Sequence, residues 1–148
     1  MNSEAGKLLP EVVCVVLCDV DKKVLLEERL DGDELHHKFT LPGGKVDPED
    51  SLKSEPRLIT AVKREIFEET SLMPTNPVIY TQFEEISENG FHANFVGSFA
   101  TEWEGEFENR ESHRRNLVWT PVSAVEALIG ENRVDSRIWQ DYLAAISS

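Results

Sequence analysis

Residues Leu41 to Leu72 read LPGGKVDPEDSLKSEPRLITAVKREIFEETSL. This stretch opens with a proline and two glycines and has three glutamates among its last eight residues. Between them, four apolar residues recur at helical spacing, namely Leu58, Ile59, Val62 and Ile66. This spacing predicts a helix from about Glu55 to Thr70, with Pro56 in the first turn, where its missing N–H leaves no bond unmade.

Three glutamates of this helix, Glu65, Glu68 and Glu69, fall within an arc about 100° wide when each residue turns the helix by about 100°. The arc borders the apolar stripe, so a solvated acidic face, the usual account of a charge run, fits poorly. The carboxylates repel each other, and their place near the helix C-terminus opposes the helix dipole. A divalent cation removes both objections, because Mg²⁺ and Mn²⁺ select carboxylate oxygens. The pattern therefore indicates a metal site.

The glycines before the helix add a second feature. Gly43 and Gly44 have no side chains, so their backbone carbonyls and amides can approach a ligand or an ion closely. Such a turn is weak evidence alone and becomes specific beside an acidic helix. Arg64, four residues before Glu68, is a nearby cation that compensates part of the charge.

Length and charge limit the function. The chain has 148 residues, which predicts a single domain over residues 1–148. Its net charge of −13 disfavours a long nucleic acid as partner. No run approaches the ~18 apolar residues of a membrane span, and the first residues lack the features of a signal peptide. Cys14 and Cys18 are expected to be small buried residues, so we expect a cytoplasmic protein.

The remaining chain alternates between strand and helix patterns. EVVCVVLCDV predicts a strand covered on both faces, followed by a turn at Asp21-Lys22-Lys23 and a partner strand in VLLEER. VIYTQFEEI and FHANFVGSFAT predict two strands joined at Glu88-Asn89-Gly90. NLVWTPV predicts a strand and SAVEALIG a short helix ending at Gly130. A final helix carries a core-facing stripe of Val134, Ile138, Trp139, Tyr142, Leu143 and Ile146. The class is α/β or α+β with a mixed sheet.

These residues resemble a known family. GGKVDPED and KREIFEETSL resemble the Nudix box, G-x5-E-x7-R-E-U-x-E-E-x-G-U, in which U is a bulky aliphatic residue. The LPGG, VLLEER and LVWTPVSAVEAL segments are similar to that family as well, so the resemblance covers about residues 11–130. It implies an α/β/α sandwich around a mixed β-sheet. It also implies hydrolysis of a nucleoside diphosphate linked to another group, X.

The resemblance also implies roles for individual residues. Glu65 and Glu69 would bind Mg²⁺ or Mn²⁺, and Glu68 would join them or order metal-bound water. Arg64 would orient the carboxylates, and the carbonyl of Gly43 or Gly44 would complete the coordination. The partner would be a small nucleotide, such as a nucleoside triphosphate, ADP-ribose, a dinucleoside polyphosphate or a nucleotide sugar. A homodimer is possible, since family members are often dimers.

The chain departs from the box at two positions. Five residues separate Gly44 from Asp50, which stands where the box has glutamate, and thirteen residues separate Asp50 from Arg64 where the box has seven. This is an insertion of six residues, and the sequence leaves open whether Asp50, Glu49 or Glu55 replaces the glutamate. Secondly, Ser71 stands at the box glycine. If Ser71 ends the helix in a left-handed conformation, it costs about 1 kcal/mol relative to glycine.

Weaker candidates lie elsewhere, and each has a plainer account. Glu106, Glu108 and Glu111 precede LVWTP, where relatives often place an extra ligand or base, but loop glutamates are usually solvated. Four basic residues in the same loop would bind a phosphate or balance its glutamates, namely Arg110, His113, Arg114 and Arg115. His36 and His37 would line a substrate entrance or a solvent loop. Phe39 would stack on a base or enter the core.

One reading from another functional class stays open. The insertion, Asp50 and Ser71 would suit a Nudix-fold nucleotide-binding or regulatory module with little catalysis. The three intact glutamates argue for the enzyme, because a module selected only for binding has little reason to keep carboxylates that repel each other.

Overall fold

The computed structural model describes residues 9–30, 39–87 and 90–147. Within those ranges the chain forms nine strands, three α-helices and one short 3₁₀ helix. In chain order they are β1 (Glu11–Leu17), β2 (Lys23–Arg29), β3 (Phe39–Thr40), β4 (Gly43–Lys45), the 3₁₀ helix (Pro48–Leu52), α1 (Arg57–Thr70), β5 (Met73–Pro74), β6 (Val78–Ile86), β7 (His92–Ala100), β8 (Trp103–Glu104), β9 (Arg115–Pro121), α2 (Val122–Ile129) and α3 (Arg133–Ser147). His36, His37 and the Glu88-Asn89 part of the predicted turn lie outside the described residues.

Two larger sheets form the middle of the described fold. The first has the strand order β4-β1-β7-β6, with β1 and β7 parallel and the other neighbours antiparallel. The second has the antiparallel order β3-β2-β9. The short strands β5 and β8 pair with each other. The prediction of a mixed sheet is therefore confirmed.

Strand β2 has a different partner from the one that the sequence predicted. Within the described residues, the pairing between this part of the chain and β2 is a single bridge from Cys18, which follows β1, to Val24. All seven residues of β2 pair instead with β9. The prediction of a β1–β2 hairpin is wrong because β4 and β7 already occupy both edges of β1.

Strand β1 divides the core into two layers, because its side chains alternate between the two faces of the sheet. On one face, Cys14 and Val16 pack with residues of α2 and α3. On the other face, Val13, Val15 and Leu17 pack with residues of α1. The uninterrupted apolar run in β1 therefore reflects helices on both sides, and the predicted α/β fold is confirmed.

Helix α1 begins at Arg57, two residues later than predicted. Pro56 precedes it as the capping residue with extended angles, φ −54° and ψ 140°, and does not lie inside the first turn. The 3₁₀ helix and a short link take up the preceding chain, and residues 51–57 are all exposed. The six-residue insertion is thus accommodated at the surface.

Helix α1 ends in the left-handed turn that its sequence suggested. Ser71 has φ 65° and ψ 6°, and its N–H donates to the carbonyl of Phe67 at 3.0 Å. The following loop satisfies the last carbonyls of the helix, since Glu108 N–H donates to Thr70 and Arg110 N–H donates to Glu69. A left-handed conformation favours glycine over serine, so Ser71 stores strain at this point.

The last two helices close the other face. Gly130 ends α2, as predicted, and its N–H donates to the carbonyl of Glu126. The stripe on α3 is buried through Tyr142, and Leu143 is partly buried. Ile146 is 53% exposed, so the prediction that it faces the core is wrong. The last turn of α3 extends beyond the packed core. No helix in the described ranges is long and apolar enough to cross a lipid bilayer.

Replacing Ser71 with glycine should raise the free energy of unfolding by about 1 kcal/mol, because glycine adopts the left-handed conformation without strain. Urea denaturation followed by circular dichroism measures the change. Ser123→Gly is the matched control, since Ser123 is exposed within α2, where glycine should lower the free energy of unfolding by about 0.5–1 kcal/mol. A loss of stability in Ser71→Gly would contradict the strain at Ser71.

Candidate active site

Arg64 ties α1 to the segment that precedes it. Its guanidinium donates two parallel hydrogen bonds to Asp50, from Nε to Oδ1 and from Nη2 to Oδ2, both at 2.9 Å. Nη2 also donates to the backbone carbonyl of Lys45 at 2.9 Å. Asp50 is buried, and Arg64 holds the pKa of its carboxyl below the usual range. Paired bonds of this kind are the strong form of ion pair, so they fix α1 against the glycine-rich segment.

Of the three acidic residues that the sequence left open, Asp50 is the one that meets Arg64. Glu55 pairs with Lys63, whose Nζ lies 2.6 Å from the Glu55 carboxylate. Glu49 is exposed on the 3₁₀ helix. The inserted residues therefore lie after the Arg64 partner and leave that contact intact.

Glu65 lies between Arg64 and the glycines. Arg64 Nη1 is 3.0 Å from Glu65 Oε1, and the side chain of Glu65 is 15% exposed. Burial raises the pKa of its carboxyl. A Cβ on Gly44 would come within 2.5 Å of the Glu65 carboxylate, so a larger residue here would displace that carboxylate. Gly43 has a φ of 152°, and a Cβ there would collide with the carbonyl of Val13.

Glu68 and Glu69 face in different directions. The side chain of Glu68 is 54% exposed and lies 3.4 Å from Arg64 Nη1. Glu69 is buried and contacts Nη1 of Arg115, which is also 3.0 Å from the carboxylate of Glu27. The predicted acidic arc therefore runs from solvent at Glu68 to the interior at Glu69.

Glu69 has an unusual environment for an acid. Burial and the neighbouring carboxylate of Glu27 raise the pKa of Glu69, and the guanidinium of Arg115 acts against this rise. Burial also raises the pKa of Glu27. Oε2 of Glu69 and Nε of Arg115 are buried and have no hydrogen-bond partner among the described residues. As the side chains stand, the described ranges contain no group of three His, Cys, Asp or Glu residues that could hold a metal ion.

The sequence did not predict the importance of Glu27 and Arg115. Glu27 comes directly after the buried apolar residues 24–26 of the VLLEER strand, and Arg115 was one member of a basic cluster. Because Glu28 and Arg29 follow it, Glu27 has the pattern of an ordinary polar strand end. Arg115, the partner of Glu27, is distant in sequence. The two residues meet because β2 pairs with β9, with Arg29 of β2 opposite Arg115.

The weaker substrate-binding candidates lie in packing contacts or at the surface. Phe39 packs against the α2–α3 side of the core. Arg110 lies over the ring of Phe67, 5.5 Å from its centre, and donates to the Phe67 carbonyl at 3.5 Å. Arg114 is 3.4 Å from the carboxylate of Glu111. Of these candidates, Glu111 lies nearest to the contact of Arg115 with Glu27 and Glu69, since its carboxylate is 3.7 Å from Arg115.

A cavity of about 300 Å³ adjoins Glu27 and the glycine-rich strand β4. Glu27, Gly43 and Gly44 contribute to its wall, and so do Asn132 and Asp135 from the segment around the start of α3. Asp135 accepts a hydrogen bond from the backbone N–H of Leu41 at 3.1 Å. The rest of the lining mixes the polar residues Arg29, Thr40 and Ser87 with apolar ones, among them Val12, Cys14, Phe95 and Val134. A small molecule with one charged and one flat apolar part would suit this space.

Comparison with solved structures gives many similar folds. The MutT NUDIX hydrolase from Burkholderia pseudomallei is 27% identical, with a TM-score of 0.63 over 79% of this chain and 86% of that one. The MutT protein from Bacillus halodurans is 26% identical, with a TM-score of 0.65 over 90% of this chain and 80% of that one. The NUDIX domain of Shewanella oneidensis NrtR, solved with ADP ribose, is 18% identical, with a TM-score of 0.73 over 99% of this chain and 94% of that one. A search of curated proteins found no match.

The family comparison agrees with the fold. A family model described as NUDIX domain matches residues 8–142. That match covers most of the chain, and the predictions of family, mixed α/β fold and enzyme class are confirmed. The chain belongs to the Nudix hydrolase family.

Proposed function

We propose that this chain is a divalent-metal-dependent hydrolase that cleaves a diphosphate linkage in a nucleoside diphosphate joined to a second group, X. The observation that carries the proposal is the Arg64–Asp50 ion pair, which sets Glu65 against Gly44 beside a cavity of about 300 Å³. Candidate substrates are nucleoside triphosphates, ADP-ribose, dinucleoside polyphosphates and nucleotide sugars. The ADP ribose bound to the NrtR domain supports a small nucleotide ligand.

The donor set suits a hard divalent cation. Glu65, Glu68 and Glu69 offer carboxylate oxygens, and Gly43 or Gly44 offers a backbone carbonyl, which are ligands that Mg²⁺ and Mn²⁺ prefer. Two observations support the fit. Oε2 of Glu69 is buried without a hydrogen-bond partner among the described residues, and Gly44 leaves room for the Glu65 carboxylate. We propose these residues as the metal site.

A bound divalent ion would neutralise diphosphate oxygens and activate water. The chain's own residues supply the positioning that phosphoryl chemistry needs. Arg64 holds the Glu65 carboxylate, and Asp50 in turn holds Arg64. The cavity gives the nucleoside an apolar wall, and Asp135 offers a carboxylate to N–H groups of a base.

The general base is one of the loop glutamates before β9. Glu106 and Glu108 are exposed, and Glu108 accepts a weak hydrogen bond from the Ser71 hydroxyl at 3.4 Å. Glu111 is partly buried and lies 3.7 Å from Arg115, which contacts Glu69.

A reducing compartment is consistent with this chemistry. Cys14 and Cys18 are both buried and free, and nucleotide substrates are abundant inside cells. We therefore propose a cytoplasmic location.

Replacing Glu65 with glutamine should lower metal-dependent turnover by at least about 100-fold, the upper end of what partners around a metal contribute. The measurement is phosphate or nucleotide release from a panel of the four substrate classes, with and without Mg²⁺. Glu126→Gln is the matched control, because Glu126 is exposed on α2 and its loss should leave turnover unchanged. The best wild-type substrate then identifies X.

Two outcomes would contradict this function. Turnover of the wild type without any divalent ion would remove the metal from the mechanism. Silence across the panel, with the domain folded and a nucleotide bound, would favour a Nudix-fold binding or regulatory module instead.

Replacing Asp50 with asparagine should lower kcat/KM by about 10- to 100-fold, because an uncharged partner holds Arg64 less firmly. Asp47→Asn is the matched control, since Asp47 is 3.6 Å from Arg64 and half exposed. Steady-state kinetics on the best substrate, together with thermal unfolding, measures both variants. Equal losses in the two variants would show that the Asp50 contact has no special role.

Replacing Asp135 with asparagine should change base selectivity. An amide oxygen can still accept the Leu41 N–H, whereas a lost hydrogen bond from a base to the charged carboxylate costs about 1.5–3 kcal/mol. We therefore expect KM to rise by about tenfold or more for bases that present an N–H group there, with kcat less affected. The measurement is KM for four nucleoside triphosphates, and a uniform change for all four would contradict a contact with the base.

A further inference from the structure

Arg115 blocks access of a cation from solvent to the carboxylate of Glu69. Oε1 of Glu69 is in contact with Arg115 Nη1, and Oε2 is buried without a partner among the described residues. Neither oxygen is therefore open to an ion in this arrangement. If Glu69 is a metal ligand, the guanidinium of Arg115 has to move before an ion can bind.

The same guanidinium serves a second buried acid. Glu27 and Glu69 are each 3% exposed at the side chain, and Arg115 Nη1 lies between them. Two buried carboxylates without a cation are strongly unfavourable. Arg115 thus supplies, from within the chain, the positive charge that a metal ion would otherwise supply.

Glu111 is another carboxylate with which the guanidinium of Arg115 can pair. Its carboxylate lies 3.7 Å from Arg115 Nη2 and is 27% exposed, so it is nearer to solvent than Glu69. The backbone of this turn is firmly held, since the N–H groups of Arg114 and Arg115 both donate to the Glu111 carbonyl. A rotation of the Arg115 side chain toward Glu111 therefore needs no movement of the backbone.

We infer that Arg115 is an internal counter-cation that occupies the place of the metal ion between Glu27 and Glu69, and that metal binding displaces it toward Glu111. This inference rests on the proposed function in taking Glu69 as a metal ligand. It explains why the described side chains form no ready metal site although the carboxylates are present. Arg115 is accordingly a positioning residue that sets metal affinity.

The inference is tested by removing the competing charge. In Arg115→Gln, the dissociation constant for Mn²⁺ or Mg²⁺ should fall by about tenfold, the lower end of the effects that partners of metal ligands produce. Isothermal titration calorimetry with the metal alone measures it. Thermal unfolding should show a lower Tm without metal than the wild type, and a larger rise in Tm when metal is added.

Arg57→Gln is the matched control. Arg57 also pairs with a glutamate, at 2.7 Å from Glu11, but at the surface and half exposed. It loses the same charge, so its metal affinity should equal that of the wild type. A purely structural role for Arg115 would lower Tm in Arg115→Gln and leave the metal affinity and the metal-induced rise in Tm unchanged.

A second measurement uses the wild type, in case Arg115→Gln does not fold. The Nε–H signal of Arg115 in ¹⁵N-resolved NMR should shift and exchange faster with water when Mg²⁺ is added, whereas that of Arg57 should stay in place. An Arg115 signal that does not respond to bound Mg²⁺ would overturn the inference.

The outcomes separate this inference from the proposed function. Equal or weaker metal binding in Arg115→Gln, with wild-type hydrolysis intact, overturns the exchange and leaves the hydrolase. Tighter binding in Arg115→Gln, with no hydrolysis by the wild type on any substrate, supports the exchange and removes the hydrolase. No metal binding by either protein overturns both.

Discussion

The paired hydrogen bonds from Arg64 to Asp50 join three segments that the site needs in one place. Arg64 belongs to α1, Asp50 to the 3₁₀ helix, and the Lys45 carbonyl that shares Nη2 to the glycine-rich strand β4. Asp50 has a shorter side chain than the glutamate of the family pattern. The backbone N–H of Asp47 compensates by donating to its carboxylate at 2.8 Å, which fixes the acid toward Arg64. Because this anchor precedes the inserted residues, the insertion does not disturb it.

The loop before β9 and the first residue of β9 balance the charge that α1 creates. The helix ends with glutamates where its dipole favours cations, and it has no basic residue in its last turn. Two arginines outside the helix supply this positive charge. Arg110 of the loop lies over Phe67 and donates to its carbonyl, and Arg115, the first residue of β9, contacts Glu69. The basic cluster and the acidic arc, which are far apart in sequence, are therefore parts of one electrostatic arrangement.

Local patterns were sufficient to predict the elements but not their partners. The spacing of Val62 and Ile66 predicted α1, and the apolar run of β1 predicted a strand covered on both faces, since both patterns depend on neighbours close in sequence. The pairing of β2 with β9 depends on which strand edges are free, and no local pattern encodes that. For the same reason Glu65 and Gly44 could be predicted as neighbours from a motif, whereas the Glu27–Arg115–Glu69 contact could not.

The position of the acidic arc at the edge of the apolar stripe produces a gradient of burial along one helix face. Glu68 is 54% exposed, Glu65 is 15% exposed and Glu69 is 3% exposed at the side chain. A fully solvated face would leave all three acids equally hydrated, and a fully buried one would need a cation for each. Placed across the boundary, the deepest acid needs either a proton or a paired cation to avoid an unpaired buried charge, while the outermost acid needs neither. Arg115 provides that cation in this structure, and a metal ion would be the other group able to do so.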